Sequence, residues 1–170
     1  MVLSVVSDAA HGVYPEGHPH GGYIVQVGTP GLTNCCIVNW ASSKAKTLSR
    51  ASMGSEVQYL LMAADKAEFL RQALLSVRLS VPIPMLFFTD SSSSIMTMRR
   101  SKLSSAMIHE IIRNNYLKQL VEKGIITLEH VPTEVCKADL LTKYLPTKRF
   151  RMLLERMMMQ VEALLSFPFL

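Results

Sequence analysis

The stretch Pro84 to Asp90, PMLFFTD, is an apolar run that carries no charge until an aspartate closes it. Bounded by a proline on one side and the serines Ser91 to Ser94 on the other, it fits a fully buried strand better than a helix. A strand buried on both faces belongs in a sheet with helical crossovers, so the chain reads as α/β. In open sheets of that class ligands bind beyond the carboxyl ends of the strands. Asp90 therefore stands either in such a site or as the cap of the helix that follows.

Val2 to Ser7 repeats the design, a β-branched run ending in Asp8. If the two strands lie side by side and parallel, Asp8 and Asp90 emerge as neighbours at one sheet edge. Tyr23 to Val27 and Cys36 to Trp40, joined by the turn-rich GTPGLTN, read as two more strands that complete an antiparallel meander with the first. The intervening AAHGVYPEGHPHGG is a loop or wide turn holding three of the five histidines, either solvated or gathered on a metal.

From Glu56 to about Val77 a long helix is expected, with Tyr59, Leu60, Ala63, Ala67, Leu70 and Leu74 on one face. Glu56 falls on that same stripe. An acid in a first turn is favoured by the helix dipole, but one turned toward the sheet is costly unless something positive meets it. A short helix over Ser91 to Met98 follows, then one from about Ser104 to Lys123 stopped by Gly124, then a strand over Ile125 to Val131. Pro132-Thr133 ends that strand and opens a helix containing Asp139. The tail from Thr147 to Leu165 is an amphipathic helix with a methionine patch at Met157 to Met159, suited to core or partner contact.

A chain of 170 residues, 49% hydrophobic, suits one core. Residues 1–146 form the domain, with 147–170 as a C-terminal amphipathic helix and tail packed on it or extending it. Three cysteines without metal spacing suggest an intracellular, reducing compartment, cytoplasm or nucleus. No signal peptide and no membrane span are expected. The net charge of +5 favours an anionic partner such as nucleic acid. Lys44, Lys46 and Arg50 form one basic cluster and Arg99, Arg100 and Lys102 a denser one; each contacts phosphates or is a solvated face.

Four acids thus stand at element ends: Asp8, Glu56, Asp90 and Asp139. Convergent carboxylates repel one another unless cations neutralise them, and their natural use is a hard-metal site with oxygen ligands. Two Mg²⁺ or Mn²⁺ ions about 4 Å apart would activate a water on one side of a phosphodiester and stabilise the leaving oxygen on the other. A basic chain with an acidic centre suits a nuclease.

The motifs SDAAHG, GGYIVQVG, IVNWASSKAKTLSRASMGSEVQYLLMAA, FFTDSSSSI, IHEIIRNNYLKQLVEKGIITLEHVPTE and KADLLTKYLPTKRF, in this order across roughly Val5 to Met152, resemble the ribonuclease H domain of copia-type long-terminal-repeat retrotransposon polyproteins. The resemblance implies a ribonuclease H-like fold, a five-stranded mixed sheet of order 3-2-1-4-5 with helices on both faces. It assigns metal binding and catalysis to the same four acids. It departs from the family at Ala10 and His11, where Asp-Trp is usual, at Ser55, where Thr is usual, and at Ser91-Ser92, where Asn-Gln is usual. The implied activity is metal-dependent hydrolysis of the RNA strand of an RNA/DNA hybrid during retroelement reverse transcription. Its expected partners are the hybrid and, through the methionine-rich helix, a reverse transcriptase domain or larger complex, with a retroelement particle as its setting. A second reading is a domesticated, catalytically inactive copy serving as a binding or structural subunit. A third, the same fold used for strand transfer, is disfavoured because such sites typically rest on three acids.

Overall fold

The computed structural model describes residues 1–32, 35–46, 52–99 and 108–165. Its strands are β1 (Val2–Ala10), β2 (His20–Gly28), β3 (Cys35–Lys44), β4 (Met85–Thr89) and β5 (Ile126–His130). They pair in the order β3-β2-β1-β4-β5, the order expected. The β1–β2 and β2–β3 pairs are antiparallel, β1–β4 and β4–β5 parallel. The run PMLFFTD is therefore an interior strand, as its lack of charge requires.

β1 is buried from Leu3 through Ala9, because elements cover both faces of the sheet at its centre. Its pleat divides the labour. Leu3 and Val5 join Leu60, Ala63 and Phe87 in the main core under helix α1 (Ser52–Ser76), to which Met98 and Leu117 also belong. Those two come from α2 (Ser92–Arg99) and α3 (Ile108–Glu122). Val6 points the other way, against Cys136 and Ala138. The second face is closed by α4 (Asp139–Thr142) and by α5 (Thr147–Leu165), which packs on β3 and α4 and buries Leu153 completely.

Two glycines set the spacing of these layers. A Cβ on Gly21 would lie 2.2 Å from the Tyr59 ring, so its absence lets α1 settle flat on β2. A Cβ on Gly22, on the opposite face, would lie 2.7 Å from Leu141 Cβ, so the same dipeptide seats α4. Leu141 is held further by its carbonyl oxygen, which accepts hydrogen bonds from Ser42 Oγ (2.6 Å) and His20 Nε2 (3.1 Å). His18 Nδ1 likewise donates to the Ala45 carbonyl at 2.9 Å, so the histidine-rich loop is tied to the segment just past β3.

Some boundaries differ from the expectation. β1 runs past Ser7 to Ala10, because its antiparallel ladder with β2 continues to Ala10–His20 after its parallel pairing with β4 stops at Ser7–Thr89. Pro132-Thr133 does not open the helix of Asp139. It starts a single 3₁₀ turn, Thr133–Val135, and α4 begins at Asp139 itself. The start expected for α3 at about Ser104 lies outside the described residues. Among those residues no helix is long and apolar enough to cross a membrane.

Candidate active site

The parallel register β1–β4 places Ser7 opposite Thr89, so the next residues, Asp8 and Asp90, stand side by side where the parallel pairing of the two strands ends. Glu56 reaches them from the second turn of α1, and Asp139 from the first residue of α4. Carboxylate oxygens of Asp8, Glu56 and Asp90 lie within 4.8 Å of one another. Asp139 joins through Lys143, whose ammonium is 2.7 Å from Asp139 Oδ1, 3.2 Å from Asp8 Oδ1 and 3.9 Å from Asp90 Oδ2. The structure thus brings all four predicted acids to one edge of the sheet.

Each acid has a different environment. Asp8 is buried, and its Oδ2 accepts a short hydrogen bond from the Thr142 hydroxyl. Burial pushes its carboxyl up, against the opposing pull of Thr142 and Lys143. Asp90 accepts a hydrogen bond from Thr133 Oγ1 at 3.0 Å. It does not cap α2. That role falls to Ser91, whose Oγ receives the Ser94 N–H at 3.3 Å. Asp139 is fully buried, with Lys143 on one oxygen and Arg149 on the other.

Glu56 is the anomaly. It is 8% exposed and meets no cation at ion-pair distance among the described residues, and its Oε2 is buried without a hydrogen-bond partner. Burial, then the charges of Asp8 and Asp90, push its carboxyl up to about 9, with an Ala9 backbone hydrogen bond opposing. A buried carboxyl with an unpartnered oxygen, gathered with two other carboxylates, is the arrangement a divalent cation completes, since hard cations take several oxygen ligands. The three acids on the strand ends and α1 therefore fit such an ion. A second grouping, Asp90, Cys136 and Asp139, suits it less. Burial and the flanking carboxylates push the Cys136 thiol up to about 12, and a protonated thiol is a poor ligand for a hard cation.

The basic residues expected to touch substrate fare unevenly. Lys44 is paired with Glu16 at 3.0 Å and lies 4.6 Å from the Tyr14 ring centroid; Lys46 is exposed. Arg99 ends α2, the helix that begins two residues after Asp90, while Arg50, Arg100 and Lys102 lie outside the described residues. A groove of about 540 Å³ opens beside the cluster, lined by Tyr14, His20, Leu141, Lys143 and Tyr144. Lys143 and Arg149 were not among the expected site residues. Lys143 stands four residues after Asp139, a spacing that puts an ion pair on one helix face and was open to reading. Arg149 reaches Asp139 across the Pro146 bend, where no spacing rule applies. Two departures from the family pattern meet each other, His11 Nδ1 lying 3.2 Å from Ser55 Oγ just before Glu56.

No protein-family model matches the chain. It is 24% identical over 130 residues to the retrovirus-related Pol polyprotein from transposon RE1 of Arabidopsis thaliana, a match covering 76% of this chain and 8% of that polyprotein. Among solved structures it superposes on the N-terminal RNase H domain of rv2228c from Mycobacterium tuberculosis with a TM-score of 0.58 and 14% identity, covering 91% of this chain and 96% of the other. It superposes equally, at a TM-score of 0.58 and 12% identity, on LC11-RNase H1 in complex with an RNA/DNA hybrid, covering 82% of this chain and 92% of that one. With its strand order and these likenesses, the chain has a ribonuclease H fold and is similar in sequence to part of a retrotransposon Pol polyprotein.

Proposed function

We propose that the protein is a divalent-metal-dependent ribonuclease H acting on the RNA strand of RNA/DNA hybrids in a retroelement context. The observation that carries this reading is the buried Glu56 carboxyl, one oxygen of it unpartnered, gathered with Asp8 and Asp90 within 4.8 Å at the carboxyl edge of the parallel strands. Asp8, Glu56 and Asp90 would hold Mg²⁺ or Mn²⁺, with Asp139 completing the cluster. Bound there, the metal supplies an activated water and charge neutralisation at a phosphodiester.

The residues of the chain do the rest. The in-register ends of β1 and β4 fix the two aspartates on rigid backbone, which costs no reorganisation when substrate arrives. Thr142 and Thr133 each hold one oxygen, of Asp8 and Asp90 respectively, and so aim the other. The groove past Lys143 and Tyr144 gives a nucleic-acid backbone a path along the cluster, with a cation and two tyrosine rings on its walls. A neighbouring reverse transcriptase domain is proposed as its partner because the chain also superposes, at a TM-score of 0.51, on the foamy viral protease-reverse transcriptase.

The decisive experiment is incubation of the purified protein with end-labelled RNA/DNA hybrid, RNA duplex and DNA duplex in EDTA, Mg²⁺ and Mn²⁺. Cleavage confined to the RNA strand of the hybrid and dependent on metal is the expected result. Intact hybrid in both metals would instead leave a binding or structural role for the domain.

A further inference from the structure

The two halves of the acidic cluster are not equivalent. In one half Asp139 has both oxygens committed, Oδ1 to the Lys143 ammonium at 2.7 Å and Oδ2 to the Arg149 guanidinium, which is itself anchored on the Thr133 carbonyl at 2.6 Å. In the other half no ion pair among the described residues reaches Glu56, and its Oε2 is bare. Four carboxylates against one ammonium and one guanidinium leave the charge of a single divalent cation to be supplied. Lys143 occupies the space between the acids, its ammonium within 4 Å of three of the four.

We propose that Lys143 is a resident counter-ion of the site: one divalent cation binds at Asp8, Glu56 and Asp90, and a second enters only by displacing the Lys143 ammonium from Asp8 and Asp139. This rests on the reading of the cluster as a divalent-cation site. The residue type suits the task. An ammonium offers three N–H donors, here given to Asp8 and Asp139 with Asp90 at ion-pair distance, on a flexible stem that can rotate away without moving backbone. Lys143 follows the last residue of α4 in an extended conformation, and its side chain is one-third exposed, so a path to solvent through the adjoining groove is open. Arg149, by contrast, is pinned by two hydrogen bonds through one nitrogen and stays with Asp139. The lysine would make the enzyme's second-ion occupancy depend on metal concentration or on substrate phosphates that draw the ammonium off.

The test is a count of bound Mn²⁺ by calorimetry and electron paramagnetic resonance on the full chain, with no substrate. The wild type should take up one ion in a first phase and a second at least about tenfold more weakly, while Lys143→Met tightens the second by about tenfold or more and Lys143→Arg does not. Two equivalent ions in the wild type, or a second-ion affinity unchanged in Lys143→Met, would overturn the proposal and leave the metal site standing. No Mn²⁺ in any variant would overturn the metal site itself. Should Lys143→Met fail to fold, acetylation of Lys143 in the wild type decides. Its rate should stay low through the first phase of the titration and rise only in the second, whereas a rate indifferent to Mn²⁺ sinks the idea.

Discussion

At the scale of single residues, Glu56 is the most informative side chain in the molecule. Its carboxyl is raised from 4.5 to about 9 by burial and by its acidic neighbours. Between those values the folded chain keeps a proton that the unfolded chain has released, so stability falls as pH rises through that window. Glu56→Gln, which keeps the shape and removes the charge, should stabilise the metal-free protein at pH 8 by about 1–3 kcal/mol and flatten its pH dependence. Thermal melts from about pH 5 to pH 9 in EDTA check this, and millimolar Mg²⁺ should rescue the wild type while leaving the variant unmoved. Asp90→Asn should lower cleavage of hybrid by more than about 100-fold, beyond the loss usual for an outer-shell partner, with the melting curve in EDTA little changed. The four acids were legible in the sequence for different reasons: Asp8 and Asp90 each follow an uncharged apolar run, Glu56 falls on the apolar stripe of α1, and Asp139 opens α4. The cations that hold them were less so: KADLLTK shows the lysine four residues after Asp139, but nothing near Arg149 announces that the chain turns back on itself there.

At the scale of elements, the seating of α1 decides whether Glu56 arrives. The helix lies on β2 through Tyr59, three residues after Glu56, and the Tyr59 ring occupies the space a side chain at residue 21 would need. Gly21→Ala should therefore cost about 1–3 kcal/mol and lift the amino-terminal end of α1. The sign that α1 has moved, beyond a general loss of stability, would be Mn²⁺ affinity lowered in protein that is still folded. The basic segment at the end of α2 belongs to the same scale. Replacing Arg99, Arg100 and Lys102 by alanine should flatten the salt dependence of hybrid affinity by about two to three units without altering sequence preference. A wild-type slope in the triple variant would mark the segment as a solvated face. Element types were readable from periodicity and punctuation, and the ends were harder to place. Pro132-Thr133 looks like a helix start, yet the buried Cys136 and Ala138 must first pack on Val6, and that contact delays the helix to Asp139.

At the scale of the whole molecule, the strand order was legible because two uncharged runs, each followed by an aspartate, have to lie at the centre of a sheet covered on both faces. What no local rule could supply is how little backbone bonding of its own one corner has. α4 spans four residues, yet it carries Asp139, leads into Lys143 and bears Thr142, and among the described residues it is clasped to the sheet by side-chain bonds alone, those of His20 and Ser42 to the Leu141 carbonyl and those of Thr142 and Lys143 to Asp8. Segments with so few backbone bonds of their own open at free energies well below that of global unfolding. Amide exchange at residues 140–143 should outpace that of β1 and β4 by orders of magnitude, and uniform protection across the three would contradict this. Heating would then silence the protein in two stages, with turnover fading as the clasp lets go while the sheet, still intact, waits for it to return.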